Sequence, residues 1–411
     1  MATVEAAPRT PTKTLNVASK DFAENKFAYY RWLREEAPVY KGKMLVMNVY
    51  FLSRYNDVTA MLKDPRFLRN RTTATGGGSR FPMPLPKNVQ YLTKSMINDD
   101  DPNHKRLRDL VQQAFTPSAI SNIEPRIEAL THQLLDELPS GEPVDLSSTY
   151  ALEIPVTVIR ELLGVEEDDM PKFHALTSTL IQGFTGIGIV RTLFWDIRRA
   201  GEFVRDLIAR KRANPGDDVL TGLINAEAEG DRLSEDELVT LVYLLIFAGY
   251  ETTVHLISNS VLALLQHPGQ LERLRTEPDI ASRAVEELTR FAGPIHGTKP
   301  AYAAEDIELH GTTIPRGAMV MPLLGAANRD PAIFTDPETL DLARTPNRHV
   351  GFGFGPHTCL GAVLARMETK LALTALLDRY PKIQLAIPPD QLELQRLPLW
   401  HRYKQMPVIL G

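Results

Sequence analysis

The chain has 411 residues, of which 43% are hydrophobic and 24% are charged, and its formal net charge is −5. These proportions are typical of a globular protein and exclude collagen-like and intrinsically disordered chains. Because the net charge is negative and lysine and arginine form no long run, the sequence gives no indication of nucleic-acid binding.

Cysteine content and the chain's start bear on location and domain structure. A single cysteine cannot form an internal disulfide, so nothing indicates an oxidising compartment and we expect a cytoplasmic protein. We also expect a monomer. Residues 1–20 lack the apolar core of a signal peptide and are predicted to be a flexible tail. Since no internal repeat or composition break follows, residues 21–411 are predicted to form a single domain.

Apolar periodicity predicts mainly helices. In chain order, helices are expected over residues 120–138 and 195–212, and Ser234 with Glu237 forms a capping-box pattern that starts a helix reaching Gln266. The apolar part of this last helix, residues 238–250, is shorter than the roughly 20 residues that span a bilayer, so we expect a core helix rather than a membrane anchor. Short strands are expected over residues 46–53, 306–314, 320–324 and 406–410. The predicted fold class is mainly α with small β-sheets.

The only cysteine, Cys359, stands in the segment GFGFGPHTCLG of residues 351–361. Its glycines permit a tight backbone, and a strongly helical pattern follows. The sulfur is therefore predicted to lie at or just before a helix N-terminus, where amide N–H groups and the helix dipole favour a thiolate.

A thiolate in this setting has several uses. A hydrolytic nucleophile needs a base, and the nearby His357 need not point at the sulfur; a redox thiol commonly has a second cysteine; zinc needs three or four ligands at motif spacings. One axial thiolate on a haem iron fits the count of ligands, because the porphyrin supplies the other four.

The segment resembles the haem-binding loop of the cytochrome P450 family. The matching positions are Phe352, Gly353, Gly355, His357, Cys359 and Gly361. The resemblance implies that Cys359 is the iron ligand of haem b, and that the loop around it, with Phe352, Gly353, His357 and Gly361, binds the cofactor.

A second segment, Ala248-Gly249-Tyr250-Glu251-Thr252 on the long predicted helix, is similar to the oxygen-activation motif of the same family. Taken alone, it is a helix with a weak point, because glycine costs about 1 kcal/mol relative to alanine in a helix interior. The resemblance implies that Ala248 and Gly249 approach the haem and that Glu251 and Thr252 are the catalytic acid and alcohol.

Two further pairs match the family. Glu287 and Arg290 share a helix face and resemble a structural ExxR pair, which Arg344 or His349 is expected to complete. His104 and Arg108 match an HxxxR pattern that implies contacts with the haem propionates, and His357 is expected to add another. One departure concerns a propionate-binding arginine that relatives carry a few residues before Glu305. The Ala301 region has none, and Lys299 is the nearest cation.

The resemblance implies a triangular, helix-rich prism with the long central helix over the haem. It implies a monooxygenase that inserts one oxygen atom of O2 into a C–H bond, or epoxidises, a mid-sized hydrophobic molecule such as a macrolide, terpenoid, steroid or fatty acid. Electrons are expected from a separate ferredoxin and an NAD(P)H-dependent ferredoxin reductase, docking near Lys105, Arg106, Arg348 and Arg366. The expected substrate pocket comprises Phe81, Met83, Leu85, Phe184, Leu244, Ile295, His296, Leu399 and Trp400.

Three alternatives stay open at this point. The first is a haem enzyme that needs no external electrons, such as a peroxygenase or isomerase, although the intact Glu251-Thr252 pair argues against it. The second is a non-catalytic haem sensor, and the third is a haem-free cysteine hydrolase.

Overall fold

The computed structural model describes residues 10–77, 95–115, 117–169, 172–173, 197–228 and 231–411. Within these ranges the protein is mostly helical, with small β-sheets. The helices are α1 (Lys20–Glu36), α2 (Tyr55–Met61), α3 (Arg71–Thr75), α4 (Asn103–Ala114), α5 (Pro117–Glu137), α6 (Glu153–Leu162), α7 (Ile197–Ala213), α8 (Val219–Asn225), α9 (Glu235–Gln266), α10 (Pro268–Thr276), α11 (Ala281–Ala292), α12 (Leu324–Ala327) and α13 (Ala362–Arg379). The predicted fold class is confirmed.

Helix α9 is the longest described helix, with 32 residues, or about 48 Å at 1.5 Å per residue. It begins with the predicted capping box: the Ser234 hydroxyl accepts from the backbone N–H of Glu237, and the Glu237 carboxylate accepts from that of Ser234. Its length and apolar composition would suffice to cross a membrane, but 71% of its most apolar window is buried within the protein. Because α6, α7, α11 and α13 pack against it, α9 is the core helix of the fold.

The strands form small sheets. They are β1 (Val39–Met44), β2 (Met47–Leu52), β3 (Phe67–Leu68), β4 (Pro143–Asp145), β5 (Glu227–Ala228), β6 (Asp231–Arg232), β7 (Ala301–Ala303), β8 (Ile307–Leu309), β9 (Thr312–Ile314), β10 (Met319–Pro322), β11 (Gln384–Leu385) and β12 (Pro407–Ile409). The largest sheet has the order β1-β2-β10-β7-β3.

Pairing at one edge of this sheet brings distant segments together near the cavity described below. Strands β3 and β7 are antiparallel, with Phe67 opposite Ala303 and Leu68 opposite Tyr302. The four strand segments predicted from the sequence coincide with β2, the β8–β9 hairpin, β10 and β12, whereas the other seven described strands, β1, β3, β4, β5, β6, β7 and β11, were not predicted. Six of these seven strands are only two or three residues long, too short for an alternating pattern to be recognised.

Candidate active site

A cavity of about 360 Å³ lies between α9 on one side and the loop before α13 on the other. Its lining contains thirteen of the predicted site residues. They are His104, Arg108, Leu244, Ala248, Gly249, Thr252, Ile295, Lys299, Phe352, Gly353, His357, Cys359 and Gly361. Segments more than 100 residues apart thus converge on one cavity.

The loop that carries Cys359 is closed by its own backbone. The N–H of Cys359 donates to the carbonyl oxygen of Phe352 at 2.8 Å. Gly353 and Gly355 have φ angles of 73° and 74°, a left-handed conformation that disfavours residues with a side chain. A Cβ atom on Gly355 would also lie 2.6 Å from the carbonyl oxygen of Leu62. The glycines therefore allow the loop to place Cys359 in the cavity lining, where it is accessible to a group inside the cavity although protein surrounds it on its other sides.

Helix α13 begins at Ala362, so Cys359 precedes it by three residues, as the sequence predicted. The sequence predicted surroundings that favour the thiolate form of Cys359, and only some of the surrounding groups do so. Burial raises the pKa of the Cys359 thiol, while the backbone N–H of Gly361 and the cations Arg108 and Arg366 act in the opposite direction. The protein surroundings alone thus do not make this thiol acidic, and a ligated metal ion would deprotonate it directly.

The opposite wall is the middle of α9. The hydroxyl of Thr252 lines the cavity and donates to the carbonyl oxygen of Ala248 at 2.9 Å. The neighbouring Gly249 serves helix packing: a Cβ atom there would lie 2.5 Å from Cδ1 of Ile159 on α6. The small residues of α9 therefore leave room both for the cavity and for the helix behind it.

Glu251 lies outside the cavity lining. Its carboxylate forms a buried ion pair with Arg402, and Nη1 of Arg402 lies 3.5 Å from Nε2 of His255. Burial raises the pKa of Glu251, and Arg402 opposes the rise. Burial also lowers the pKa of His255 to about 3, with Arg402 adding to the effect, so this imidazole is neutral at physiological pH.

Cations and imidazoles gather at one end of the cavity, and we call this group the cationic end. It comprises Arg69, His104, Arg108, Lys299 and His357. The rings of His104 and His357 lie 3.9 Å apart between centroids, and Nε2 of His104 is buried without a hydrogen-bond partner within the described ranges. Burial lowers the pKa of His357 to about 3, and Arg69, His104 and Arg108 add to the effect.

The donor set of the cavity fits an iron porphyrin. A thiol faces the cavity on one wall, which suits a soft axial ligand, and the cationic end provides arginine, lysine and imidazole donors for carboxylates. Nε2 of His104 has no hydrogen-bond partner among the described residues, and it can donate to a carboxylate when that atom carries the proton. A flat group with a central metal ion and two anionic arms would satisfy both features.

The predicted ExxR pair lies outside the cavity, within a buried network. Arg290 donates two hydrogen bonds of 2.7 Å to Glu287, and Arg344 donates to both oxygens of the same carboxylate at 3.1 Å. The network is therefore completed by Arg344. The other candidate, His349, contacts Glu286 instead, at 2.9 Å.

Some predicted pocket residues do not line the cavity. His296 is buried among Phe27, Tyr30 and His401. Leu399 packs behind the cavity-lining Gly297, where a Cβ atom would lie 2.5 Å from Leu399 Cδ1.

Trp400 faces away as well: its ring contacts the guanidinium of Arg402 at 5.1 Å, and its carbonyl oxygen accepts from Lys26. His296, Leu399 and Trp400 are therefore not among the cavity-lining residues in the described part of the chain. His296 lies between the cavity-lining Ile295 and Gly297, so a lining neighbour does not fix the direction of a side chain. The predicted residues Phe81, Met83, Leu85 and Phe184 lie outside the described residues.

The cavity also contains residues that sequence reasoning missed. They include Arg69, Met96, Ile97, Phe115, Ile159, Leu364 and Glu368. The most unusual is Glu368, which is 1% exposed and whose carboxyl oxygens have no hydrogen-bond partner of good geometry in the described part of the chain. Glu368 follows Cys359 by nine residues and lies on the cavity-facing side of α13. This spacing was the feature of the sequence from which its place in the cavity could have been predicted.

The fold and the cavity together define a helical protein with a thiolate-ligand pocket, and comparison with known proteins gives its family. The family model described as Cytochrome P450 matches residues 199–398. The chain is 39% identical over 412 residues to a vitamin D(3) 25-hydroxylase of Pseudonocardia autotrophica, covering 99% of each chain. It is 34% identical over 409 residues to the cytochrome P450 monooxygenase PikC of Streptomyces venezuelae, covering 97% of this chain and 94% of that one.

The fold agrees with solved structures. The cytochrome P450 PksS of the bacillaene polyketide synthase of Bacillus subtilis 168 superposes with a TM-score of 0.89 at 36% identity, covering 97% of this chain and 100% of that one. The chain belongs to the cytochrome P450 family and is a monooxygenase that uses a haem-thiolate cofactor.

Proposed function

We propose that this protein binds haem b through Cys359 and hydroxylates or epoxidises a mid-sized hydrophobic molecule. The observation that carries the proposal is the exposure of the single thiol into a cavity whose opposite wall holds the Thr252 hydroxyl. When bound, the haem would supply the activation of O2 and the transfer of one oxygen atom to carbon.

The chain's own residues would bind the cofactor and deliver protons to the cavity. His104, Arg108, Lys299 and His357 would hold the propionates through charge-assisted hydrogen bonds. Thr252 lines the cavity, and its hydroxyl can donate a proton there once it turns away from the Ala248 carbonyl oxygen, which accepts its hydrogen bond in the structure. Glu251 lies next to Thr252 on α9 but is held by Arg402, so proton delivery from its carboxyl group requires this ion pair to open or a water to bridge the two residues.

The substrate class follows from the lining between α9 and the edge of the cavity. Apart from the cationic end, Glu368 and a few hydroxyls, the lining side chains are apolar, and they include Met96, Phe115, Leu244, Leu245 and Ile295. An apolar wall binds hydrophobic molecules by removing their surface from water, at roughly 25 cal/mol per Å². Steroid-like and macrolide-like molecules are the first candidates, because relatives carry names that indicate such substrates.

Electrons are expected from a separate ferredoxin and its NAD(P)H-dependent reductase. The expected basic docking patch is weaker than its composition suggests, because Lys105, Arg106 and Arg366 are all engaged with carboxylates of this chain. Arg348 is exposed.

We propose a single domain over residues 21–411, a monomeric state and a cytoplasmic location.

The proposal is tested by the optical spectrum of the reduced protein with carbon monoxide. A thiolate ligand shifts the main band strongly to longer wavelength, and we expect this shift in the haem-loaded protein and its loss in Cys359→Ala. Absence of the shift in the parent, or its persistence in Cys359→Ala, would contradict thiolate ligation by this residue.

Substrate and electron source are tested in the same protein. Hydrophobic compounds are screened for a change in the spin state of the ferric haem, and binders are incubated with O2, NAD(P)H, a ferredoxin and its reductase. An oxygenated product with the ferredoxin system supports a monooxygenase. Products obtained only with hydrogen peroxide would favour the peroxygenase alternative, and binding of haem without spin shift or oxygen uptake would favour a sensor.

A further inference from the structure

The cationic end contains a residue for which the sequence gave no role. Arg69 follows β3 directly and lines the cavity together with Lys299. Neither the family's loop pattern nor its HxxxR pattern includes this position. The question is what an arginine does there, because a half-buried guanidinium that lacks a negative partner destabilises a protein.

Several contacts fix Arg69 in place without neutralising it. Both oxygens of the Asp100 carboxylate accept backbone N–H groups, from Arg69 at 2.6 Å and from Asn70 at 2.9 Å. The Asp100 carboxylate is thus engaged with the backbone rather than with the guanidinium. Nη1 of Arg69 donates to the Thr298 hydroxyl at 3.2 Å and to the carbonyl oxygen of Lys299, and both acceptors are uncharged.

The remaining donors of Arg69 are available to a ligand. Its Nε and Nη2 groups have no hydrogen-bond partner among the described residues, and the side chain forms no ion pair within these ranges. Burial lowers the pKa of Arg69 to about 10, with the charge of Asp100 opposing the shift. The guanidinium is still cationic at neutral pH, but its surroundings favour the arrival of a negative charge.

The strand register explains why Arg69 stands at this point. The family resemblance implies a propionate-binding arginine a few residues before Glu305, and this chain has β7 there, with Ala301 at its start. Because Phe67 pairs with Ala303 and Leu68 with Tyr302, extending the antiparallel register by one residue places Arg69 opposite Ala301. The arginine missing from β7 is thus replaced by one at the end of the adjacent strand.

Resting on the proposed function, we propose that Arg69 is a cofactor-binding residue of this protein. It would bind the haem propionate for which the family resemblance implies an arginine near the start of β7. The guanidinium would offer Nε and Nη2 to the propionate carboxylate, a pair of parallel donors that lysine cannot provide. Lys299, whose Nζ donates to the Asn98 side chain at 2.9 Å, adds a further positive charge at the cationic end.

The test compares three variants of the haem-loaded protein: Arg69→Gln, Arg69→Lys and the control Arg66→Gln. Arg66 lies three residues earlier and is a surface cation paired with Asp64 and Glu305. The first measurement is the rate of haem transfer from the ferric protein to excess apomyoglobin. We expect about tenfold faster transfer for Arg69→Gln, equivalent to about 1.4 kcal/mol, an intermediate rate for Arg69→Lys, and a parental rate for Arg66→Gln.

A second measurement separates propionate binding from a general structural role. Resonance Raman spectra report the bending modes of the propionates, which respond to their hydrogen bonds, and we expect a shift in Arg69→Gln but not in Arg66→Gln. Equal transfer rates for Arg69→Gln and Arg66→Gln, or unshifted propionate modes, would overturn the role of Arg69. If Arg69→Gln does not fold, the same comparison is made with Arg69→Lys.

The carbon monoxide spectrum is recorded for every variant. A parental thiolate band with unchanged haem transfer refutes the role of Arg69 and leaves the proposed function intact. A parent protein without the thiolate band refutes the proposed function itself.

Discussion

The side chains of Glu251 and Arg402 form a buried ion pair, although 151 residues separate them in the chain. The two side chains are 9% and 2% exposed. The pair joins the middle of α9, next to Thr252, to the C-terminal segment that precedes β12. It therefore fixes the acid of the oxygen-activation motif to a part of the chain that carries no motif of its own.

Removing one member of this pair is expected to be costly. In Arg402→Met the buried carboxylate loses its partner, which costs about 3–5 kcal/mol of unfolding free energy, whereas the double variant Glu251→Leu/Arg402→Met removes both charges and is expected to recover most of the loss. The measurement is guanidinium chloride unfolding of the haem-loaded protein, followed by circular dichroism and haem absorbance. A double variant that is destabilised by the sum of the two single changes would show that the residues do not act as a pair.

The hydroxyl of Thr252 is expected to matter for coupling electrons to product. Thr252→Ala removes the only proton-bearing group of this residue that faces the cavity, and we expect the product formed per NAD(P)H consumed to fall about tenfold or more, with peroxide released instead. Thr252→Ser keeps the hydroxyl and is the matched control. Product yields and peroxide are measured in a ferredoxin-supported assay, and equal coupling in the alanine and serine variants would refute a role for the hydroxyl.

Local signals in the sequence predicted much of the fold and the site. The capping box of Ser234 and Glu237 fixed the start of α9, and the glycine spacing around Cys359 identified the loop that presents the thiol. These features are encoded within ten or so consecutive residues, so that one sequence suffices to recognise them. Glu287 and Arg290, three residues apart on one helix, are likewise a local pair, and their side chains are joined by two hydrogen bonds.

Features that depend on contacts between distant segments could not be predicted. Arg69 reaches the cationic end because β3 pairs with β7, and neither short strand has a recognisable pattern. Arg402 forms its ion pair with Glu251 because the C-terminal segment packs on α9. His296 follows the cavity-lining Ile295 but points into an aromatic cluster, since alternate residues of an extended chain face opposite sides.

Glu287 is expected to be a folding residue. Its carboxylate is fully buried and binds both Arg290 and Arg344, so Glu287→Gln leaves two guanidinium groups without their counter-charge. We expect a loss of about 3 kcal/mol or more of unfolding free energy and a low haem content after purification. Glu277→Gln is the control, because the Glu277 side chain is 47% exposed and pairs with the 35% exposed Arg273, which predicts about 1 kcal/mol or less. Equal effects of the two variants would contradict the central role of the buried network.

The buried carboxyl group of Glu368 predicts a pH dependence of stability. Burial raises its pKa to about 8, and the nearby Thr253 hydroxyl only partly opposes the rise. The folded protein therefore keeps a proton that the unfolded chain loses near its ordinary pKa of 4.5. Since the folded state binds more protons in this window, the contribution of Glu368 to stability falls as pH rises from about 4.5 to 8.

Glu368→Gln replaces this group by a neutral one of similar shape and removes its titration. Relative to the parent, the unfolding free energy of the variant is expected to increase with pH between 5 and 8, by at most about 1.4 kcal/mol per pH unit. The measurement is urea unfolding of the haem-loaded proteins at several pH values, with Glu393→Gln as a surface control, since Glu393 is exposed and paired with the exposed Lys404. A difference between Glu368→Gln and the parent that does not change with pH would mean that Glu368 is ionised in the folded protein, with a counter-charge inside the cavity.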